Sequence, residues 1–246
     1  MSAAPPTGNA PGLSARFAKL VLRRVLRAFP LGVRRNLRAV RVERLVRSGR
    51  FASEEPEYGR LAEWLGEGDF ALDVGANFGS YSLRMAELVG DTGRVYSFEP
   101  VPQTFAMLVR SIAVRGCRNV TALNLSCANE NRILTMSIPD DPLAGEDLYQ
   151  ASISDTGPSL TSVVGIRIDD LGLPFDRLRL VKIDAEGHDS EVIKGMWGLI
   201  ERTRPVLIVE HPAEAISAKL AALGYTLELP PRSPNGIFHP PDAGSR

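Results

Sequence analysis

Two acidic residues stand at the ends of two short apolar runs and could together bind one small ligand. The run FALDVGANFG reaches an acid at Asp73 and continues into a turn that contains Gly75 and Gly79. The run RVYSFEP stops at Glu99. Buried parallel strands have this apolar pattern, and ligands bind where such strands end. We therefore expect both carboxylates at one sheet edge, with Gly75 allowing a sharp turn and Gly79 a close approach to the ligand.

The residues of the turn favour an adenosine ligand that carries an amine over one that carries a pyrophosphate. The dinucleotide motif G-x-G-x-x-G fails, because Asn77 and Ser80 occupy the positions of its second and third glycines. The carboxylate of Asp73 would repel a phosphate, but it suits the ammonium group of S-adenosylmethionine. Glu99 follows about two dozen residues after the first glycine, where an acid accepts hydrogen bonds from ribose hydroxyls. We predict S-adenosylmethionine as the cofactor, and Asn77 disfavours the alternative of a nucleotide-dependent oxidoreductase.

A second cluster of reactive side chains, Asp184, Glu186 and His188, follows the run LRLVKID and should lie on the same sheet edge. His188 or Asp184 could take a proton from a substrate hydroxyl, a task that favours a base whose pKa lies near the working pH. In the structural alternative, the two acids bond backbone N–H groups of the turn and His188 begins a helix. Carboxylates of this cluster, with Asp189 or Glu210, could also bind Mg²⁺. Their spacing is not diagnostic, and we predict no metal.

The elements that must position these residues alternate between strands and helices. Besides the two runs above, the pattern predicts strands at residues 119–124, 178–184, 205–209, 225–229 and 236–239. It predicts helices at residues 56–65, 101–115, 189–202 and 213–223. Ser126 would then lie just beyond the third strand, close to a bound adenine. Such alternation indicates an α/β fold with a mostly parallel, seven-stranded sheet and helices on both faces.

Residues 132–169 depart from this alternation. Residues 132–139 and 162–168 alternate in polarity and are rich in β-branched side chains, which predicts two strands. The polar segment between them, residues 140–161, reads as a long loop, and long loops within enzyme domains often cover substrates. We expect an antiparallel insertion that acts as a substrate lid.

Length and composition bound the kind of protein. With 246 residues, 44% of them hydrophobic, the chain suffices for one large α/β domain with a packed core. Its two cysteines, Cys117 and Cys127, have neither metal nor disulfide spacing, which favours a reducing cytoplasm. No apolar run has the length of a membrane span. We therefore expect a cytoplasmic protein, with peripheral membrane contact as the alternative.

The net charge of zero conceals two oppositely charged regions. Of the 29 Lys and Arg residues, twelve lie within residues 16–50, where Glu43 is the one acid. Residues 51–246 hold the other 17 basic residues and 28 acidic ones, a net charge of −11. Blocks of this kind indicate an appended module. The predicted regions are a disordered tail at 1–12, a basic helical arm at 13–53 and a catalytic domain at 54–246.

The arm is predicted to contain two basic helices that differ in amphipathicity. Within residues 15–29, apolar side chains such as Phe17 and Val25 share one face and basic side chains share the other. Within residues 33–50, arginines surround the helical wheel. A basic amphipathic helix can lie on an anionic membrane. We expect the first helix to pack on the catalytic domain as a lid instead, with membrane contact that is weak and salt-sensitive.

Five segments of the chain resemble the FkbM-type methyltransferases: LDVGANFGSYS, VYSFEPVPQTF, NVTALN, LVKIDAEGHDSEVIKG and RPVLIVEH. The resemblance covers residues 68–224, and K-I-D-x-E-G-x-x-x-E-V-[IL]-K-G is its most specific block. It implies a Rossmann-like class I methyltransferase fold that binds S-adenosylmethionine. The residues that match the family's functional positions are Asp73, Gly75, Asn77 and Gly79 in the cofactor turn, Glu99 at the ribose, and Asp184, Glu186 and Gly187 in the K-I-D-x-E-G block.

Members of this family usually methylate a hydroxyl of a sugar or natural product. The resemblance therefore implies an O-methyltransferase with a small-molecule or glycan acceptor. Nucleic acid is disfavoured as a substrate, because the domain is acidic and lacks the N/D-P-P-[FYW] motif that amino-methylating enzymes of this fold often carry. The alternative is a non-catalytic protein of the same fold that binds a partner or a membrane surface, but the intact cofactor acids argue against it.

Overall fold

The computed structural model describes residues 29–141, 145–146 and 151–241. The tail predicted at residues 1–12 lies outside these residues. So does the helix predicted at residues 15–29, apart from Phe29.

Strands and helices alternate over most of the described chain. In chain order the strands are β1 (Phe70–Val74), β2 (Arg94–Phe98), β3 (Val120–Leu123), β4 (Ser126–Cys127), β5 (Arg132–Ser137), β6 (Asp140–Asp141), β7 (Gly145–Glu146), β8 (Ser152–Ile153), β9 (Leu160–Ile166), β10 (Leu178–Ile183), β11 (Val206–Glu210), β12 (Thr226–Glu228) and β13 (Asn235–His239). The α-helices are α1 (Leu31–Arg47), α2 (Ser80–Val89), α3 (Pro102–Arg115), α4 (Asp189–Gly195), α5 (Trp197–Thr203) and α6 (Glu214–Ala222). Short 3₁₀ helices span Pro56–Glu63 and Ile168–Asp170, so the helix predicted at residues 56–65 is of the 3₁₀ type.

The central sheet has seven strands in the order β12-β13-β11-β10-β1-β2-β3. From β3 to β11 neighbouring strands are parallel, whereas β13 pairs antiparallel with both β11 and β12. Neighbouring residues along a strand point to opposite faces. Accordingly Ala71 packs with the apolar side of α2, and Leu72 packs with the layer formed by α4, α5 and α6. The α/β fold with a mostly parallel, seven-stranded sheet and helices on both faces is confirmed.

A second sheet, in the order β4-β9-β5-β8, stands apart from the central one. The strands predicted at residues 132–139 and 162–168 are present as β5 and β9, which pair antiparallel from Arg132↔Gly165 to Ser137↔Leu160. The segment predicted as a polar loop contributes the short strands β6, β7 and β8 and the first residues of β9. Part of this segment is therefore built into sheets.

The single helix predicted at residues 189–202 is wrong, because two helices meet at the fully buried Met196. The break has a tertiary cause. The Asp169 carboxylate accepts hydrogen bonds from the backbone N–H groups of Gly198 at 3.0 Å and Leu199 at 2.8 Å. A carboxylate at this position satisfies the free N–H groups of a helix start, so that α5 begins anew there.

The helix α1 packs against the second sheet and α3. Val42 and Val46 are buried in one cluster with apolar residues of the second sheet, such as Leu134. The Glu43 carboxylate also accepts a hydrogen bond from Arg110 of α3 at 2.8 Å. The helical structure predicted for the second basic stretch is thus confirmed. Within the part of the chain that the structure describes, no helix is both long and apolar enough to cross a membrane.

Candidate functional site

The sheet brings the acids predicted from the sequence to one edge. Asp73 lies opposite Ser97 of β2, and Val74 lies opposite both Phe98 of β2 and Ile183 of β10. The residues that follow these strands, including Glu99 and Asp184, therefore lie at the same end of the sheet. Two cavities open at this edge.

The turn after β1 is held by backbone contacts on both sides. Gly75 has a φ of 77°, and a Cβ at this position would lie 1.8 Å from the backbone oxygen of Asp184. The Gly75 N–H donates to the carbonyl of Phe98 at 3.0 Å. Glycine is therefore required here because the chain following β10 passes directly against it. A Cβ on Gly79 would instead lie 2.7 Å from the side chain of Leu108, and Gly79 lines neither cavity.

The first cavity lies between the ends of β1, β2 and β10 and the second sheet. Its predicted site residues are Gly75, Asn77, Glu99, Ser126, Asp184, Glu186 and His188. Apolar walls come from Val101 and Leu125 on one side and from Met136, Ala151 and Ile153 of the insertion on the other. Apolar walls with a few polar groups are typical of small-molecule sites.

Glu99 is the buried acid of this first cavity. Its Oε1 accepts the N–H of Val101 and its Oε2 accepts the N–H of Asn77, each at 2.9 Å. Burial raises the pKa of Glu99 to about 7 in spite of these two bonds. Each carboxylate oxygen can still accept a further hydrogen bond, so Glu99 can serve the two hydroxyls of a ribose. Asn77 takes a left-handed conformation, with a φ of 50°, as it donates to this acid.

The second cavity lies beyond the same turn, and residues 51–55 form one of its walls. Asp73 lines it and is almost fully buried. Its Oδ2 accepts a hydrogen bond from Ser82 Oγ at 2.5 Å, but its Oδ1 has no partner among the described residues. Burial raises the pKa of this carboxyl group. A buried carboxylate oxygen without a donor at a cavity wall fits the ammonium group expected of the cofactor.

Lys182 is a charged residue of this site that the sequence patterns do not single out. Its Nζ donates to Asp184 Oδ2 at 2.8 Å and lies 4.8 Å from the ring centroid of Tyr81. Burial lowers the pKa of Lys182, but the carboxylates of Asp184 and Asp73 outweigh burial and leave the pKa raised. The available signal was a lysine within an apolar strand, two residues before Asp184. Such spacing puts both side chains on one face of a strand.

Asp184, Glu186 and Glu210 bring one carboxylate oxygen each to within 4.8 Å of one another. Burial, and then the neighbouring carboxylate of Asp184, raise the pKa of Glu210 to about 8, so Glu210 holds a proton at neutral pH. Three such oxygens could accept a divalent cation when Glu210 is ionised. His188 lies nearby on the wall of the first cavity. Burial lowers its pKa, so its ring is neutral at pH 7, and Nε2 has no partner in the described chain.

These two cavities, at the carboxyl ends of the parallel strands in a seven-stranded sheet of this order, define the class of the protein. It is an S-adenosylmethionine-dependent methyltransferase with the Rossmann-like class I fold. The family described as "Methyltransferase FkbM domain" matches residues 73–227, and the chain belongs to this family.

In three comparisons with known proteins, the matched region spans about two thirds or less of the other protein's length. The chain is 25% identical over 170 residues to "Hexuronic acid methyltransferase AglP" of Haloferax volcanii, which covers 69% of this chain and 67% of that protein. It is 25% identical over 154 residues to "Methyltransferase 1" of Beauveria bassiana, which covers 54% and 61%. The crystal structure of methyltransferase FkbM from Methylobacillus flagellatus is 15% identical and superimposes with a TM-score of 0.49 over 82% of this chain and 59% of that one.

Proposed function

We propose that the protein transfers a methyl group from S-adenosylmethionine to a hydroxyl oxygen of a sugar, glycan or natural product, in the cytoplasm. One observation carries this proposal: Gly75, Asn77 and Asp184 line both cavities, so one extended ligand can pass from the first cavity to the second beside Asp184. The similarity to a hexuronic acid methyltransferase supports a sugar acceptor, at 25% identity.

In the proposed arrangement, Glu99 and Ser126 hold the adenosine half of the cofactor in the first cavity. The Gly75–Asn77 turn and the unpartnered oxygen of Asp73 hold the methionine end in the second. Gly79 supports the turn from outside by packing against Leu108. S-adenosylmethionine supplies a methyl group that its positive sulfur has already activated. The tasks left to the protein are alignment of the acceptor oxygen, exclusion of water and removal of the hydroxyl proton.

Asp184 is the leading candidate for the acceptor side of the reaction. It lies where the cavities meet, and the Lys182 ammonium fixes one of its oxygens at 2.8 Å. The carboxylate can accept a hydrogen bond from the acceptor hydroxyl and stabilise positive charge that develops on that oxygen. His188 is the second candidate base, because its neutral ring keeps an unpartnered Nε2. Glu186 completes the wall between them and is proposed to orient the acceptor.

The proposed lid role of residues 132–169 is supported on the cofactor side of the site. Met136, Ala151 and Ile153 supply apolar wall to the first cavity, opposite Glu99. This surface can exclude water from the bound adenosine. We therefore propose that the insertion covers the cofactor as well as the acceptor.

The test has two stages. Calorimetry should first detect binding of S-adenosylmethionine or S-adenosylhomocysteine and not of NAD. Incubation with isotopically labelled cofactor and a panel of neutral, amino and uronic acid glycosides should then label an acceptor, and NMR should locate the methyl group on oxygen. A methyl group found on nitrogen or carbon would overturn the proposed O-methylation, and binding of NAD alone would overturn the cofactor assignment as well.

A further inference from the structure

The outward side of α1 carries an apolar stripe that nothing in the catalytic site explains. Val33, Leu37 and Val40 follow one another at helical spacing and are 40%, 48% and 49% exposed. Phe29, just before the helix, is 43% exposed. The opposite side of the same helix packs on the domain through the buried Val42 and Val46. The stripe therefore faces away from the second sheet, against which α1 packs.

Positive charge accompanies this stripe along the helix. Residues 31–50 contain seven arginines and one acid, Glu43. The Glu43 carboxylate is already engaged by Arg47 and by Arg110 of α3. Arg41 and Arg44 are exposed, and the second of them continues the line of Val33, Leu37 and Val40 by one turn. The outer side of α1 thus combines the apolar stripe with the exposed Arg41 and Arg44.

The rest of the molecule carries the opposite charge. Residues 51–246 have a net charge of −11, whereas residues 16–50 have eleven more basic than acidic residues. A negatively charged surface would attract the arm and repel the acidic domain, which orients the molecule with α1 toward that surface. Nucleic acid would pair with the arginines and leave the apolar stripe in water. An anionic bilayer can contact both features, because its phosphates pair with the arginines and its acyl chains contact the apolar stripe.

We propose that the outer face of α1, formed by Val33, Leu37, Val40, Arg41 and Arg44, docks on an anionic lipid surface. The helix lies in the plane of the interface, with the three apolar side chains among the lipid headgroups and acyl chains and the arginines at the phosphates. The docking is reversible, because the stripe is short. It weakens as salt rises, because the arginines are solvent-exposed.

The test is co-sedimentation of the full chain with vesicles of equal parts phosphatidylcholine and phosphatidylserine, and with vesicles of phosphatidylcholine alone. Wild type should bind the mixed vesicles at low salt and the neutral vesicles roughly tenfold more weakly. The triple variant Val33→Gln/Leu37→Gln/Val40→Gln should bind the mixed vesicles roughly tenfold more weakly than wild type. Arg41→Gln/Arg44→Gln should lower both the affinity and its dependence on salt.

A matched control removes exposed apolar surface elsewhere. Ile133 and Val164 are paired across β5 and β9 and are 68% and 46% exposed. The variant Ile133→Gln/Val164→Gln should keep the vesicle binding of wild type. Thermal unfolding and affinity for S-adenosylhomocysteine should be unchanged in the triple α1 variant, which would show that its fold is intact.

Three results would overturn the proposal. The first is equal vesicle binding by wild type and the triple α1 variant. The second is no binding of wild type to the mixed vesicles at low salt. A lower unfolding temperature of the triple α1 variant would then assign the stripe to contact with another part of the same chain. The third is a wild-type dimer in light scattering that the triple substitution dissociates. This result would show that the stripe contacts a second copy of the chain.

Discussion

The backbone N–H of Asn77 donates to Glu99 Oε2 over 2.9 Å and thereby ties the turn after β1 to the acid after β2. The bond joins two strand ends that the sequence predicts separately. Because the accepting carboxylate is buried, its pKa lies at about 7 instead of the ordinary 4.5. The protonation state of Glu99 therefore changes close to neutral pH.

Cofactor affinity should follow this titration. As pH falls through about 7, Glu99 gains a proton and loses acceptor capacity toward the ribose hydroxyls, so affinity for S-adenosylhomocysteine should fall. Calorimetry at a series of pH values would measure the trend. Glu99→Gln should bind more weakly at high pH and show a flatter profile. An unchanged affinity in Glu99→Ala would exclude a ribose contact.

Asp184→Asn should separate cofactor binding from chemistry. The substitution keeps the shape of the side chain but removes its charge and its capacity to take a proton. We expect near-normal affinity for S-adenosylhomocysteine and a loss of about 10²–10⁴ in the rate of methyl transfer, measured in single-turnover assays. His188→Gln is the parallel variant. If only His188→Gln were slow, His188 would be the base and Asp184 would have no part in proton transfer.

Lys182→Met should destabilise the fold. The ammonium is the cation that pairs with Asp184 at 2.8 Å and offsets the charge of the buried Asp73. Leaving buried carboxylates without their partner costs about 3–5 kcal/mol, which denaturant unfolding would measure. The double variant Lys182→Met/Asp184→Asn should regain part of this loss, because it removes one uncompensated charge. A single variant as stable as wild type would contradict the ion pair.

Two glycines with left-handed conformations offer a matched comparison. Gly75→Ala adds a Cβ 1.8 Å from the Asp184 backbone oxygen, whereas at Gly187 a Cβ meets nothing within 4 Å. Both substitutions strain the backbone, with φ values of 77° and 85°. We expect about 1–3 kcal/mol of destabilisation for Gly187→Ala from strain alone and a clearly larger loss for Gly75→Ala. Equal unfolding free energies would show that the turn can move away from β10.

Divalent cations should bind poorly at neutral pH. Glu210, with a pKa of about 8, is protonated at pH 7, and the Lys182 ammonium already contacts Asp184. Calorimetric titration with Mg²⁺ should therefore show binding about tenfold weaker near pH 7 than above pH 9, and chelators should leave methyl transfer unchanged. Affinity should rise as pH passes about 8 and Glu210 ionises. Tight Mg²⁺ binding at pH 7 would reverse the prediction of a metal-free site.

The sequence predicts the acidic edge of the sheet well because β1, β2 and β10 each carry their own signal, an apolar run that stops at an acid. Asp73, Glu99 and Asp184 could be found in this way. The break at Met196 could not, because the carboxylate that starts α5 belongs to Asp169, which lies before β10 in the chain. A contact of this kind is visible only after folding, and it overrides the helical pattern of the sequence.

The packing of Gly79 is likewise visible only after folding. The sequence shows a glycine beside a ligand turn, but the structure shows a φ of 94° and a Cβ position 2.7 Å from the side chain of Leu108 on α3. The pairing of Lys182 with Asp184 follows from their spacing in the strand. Its importance depends on burial, which the local sequence does not reveal.

Gly195 ends α4 so close to β4 that a Cβ would lie 1.8 Å from the carbonyl oxygen of Ala128. The helix after the Asp184 turn therefore rests directly on the strand that brings Ser126 into the first cavity. In the proposed arrangement, this contact joins the adenine side of the site to the acceptor side. An engineer who wants a new acceptor should therefore leave the contact between Gly195 and Ala128 intact.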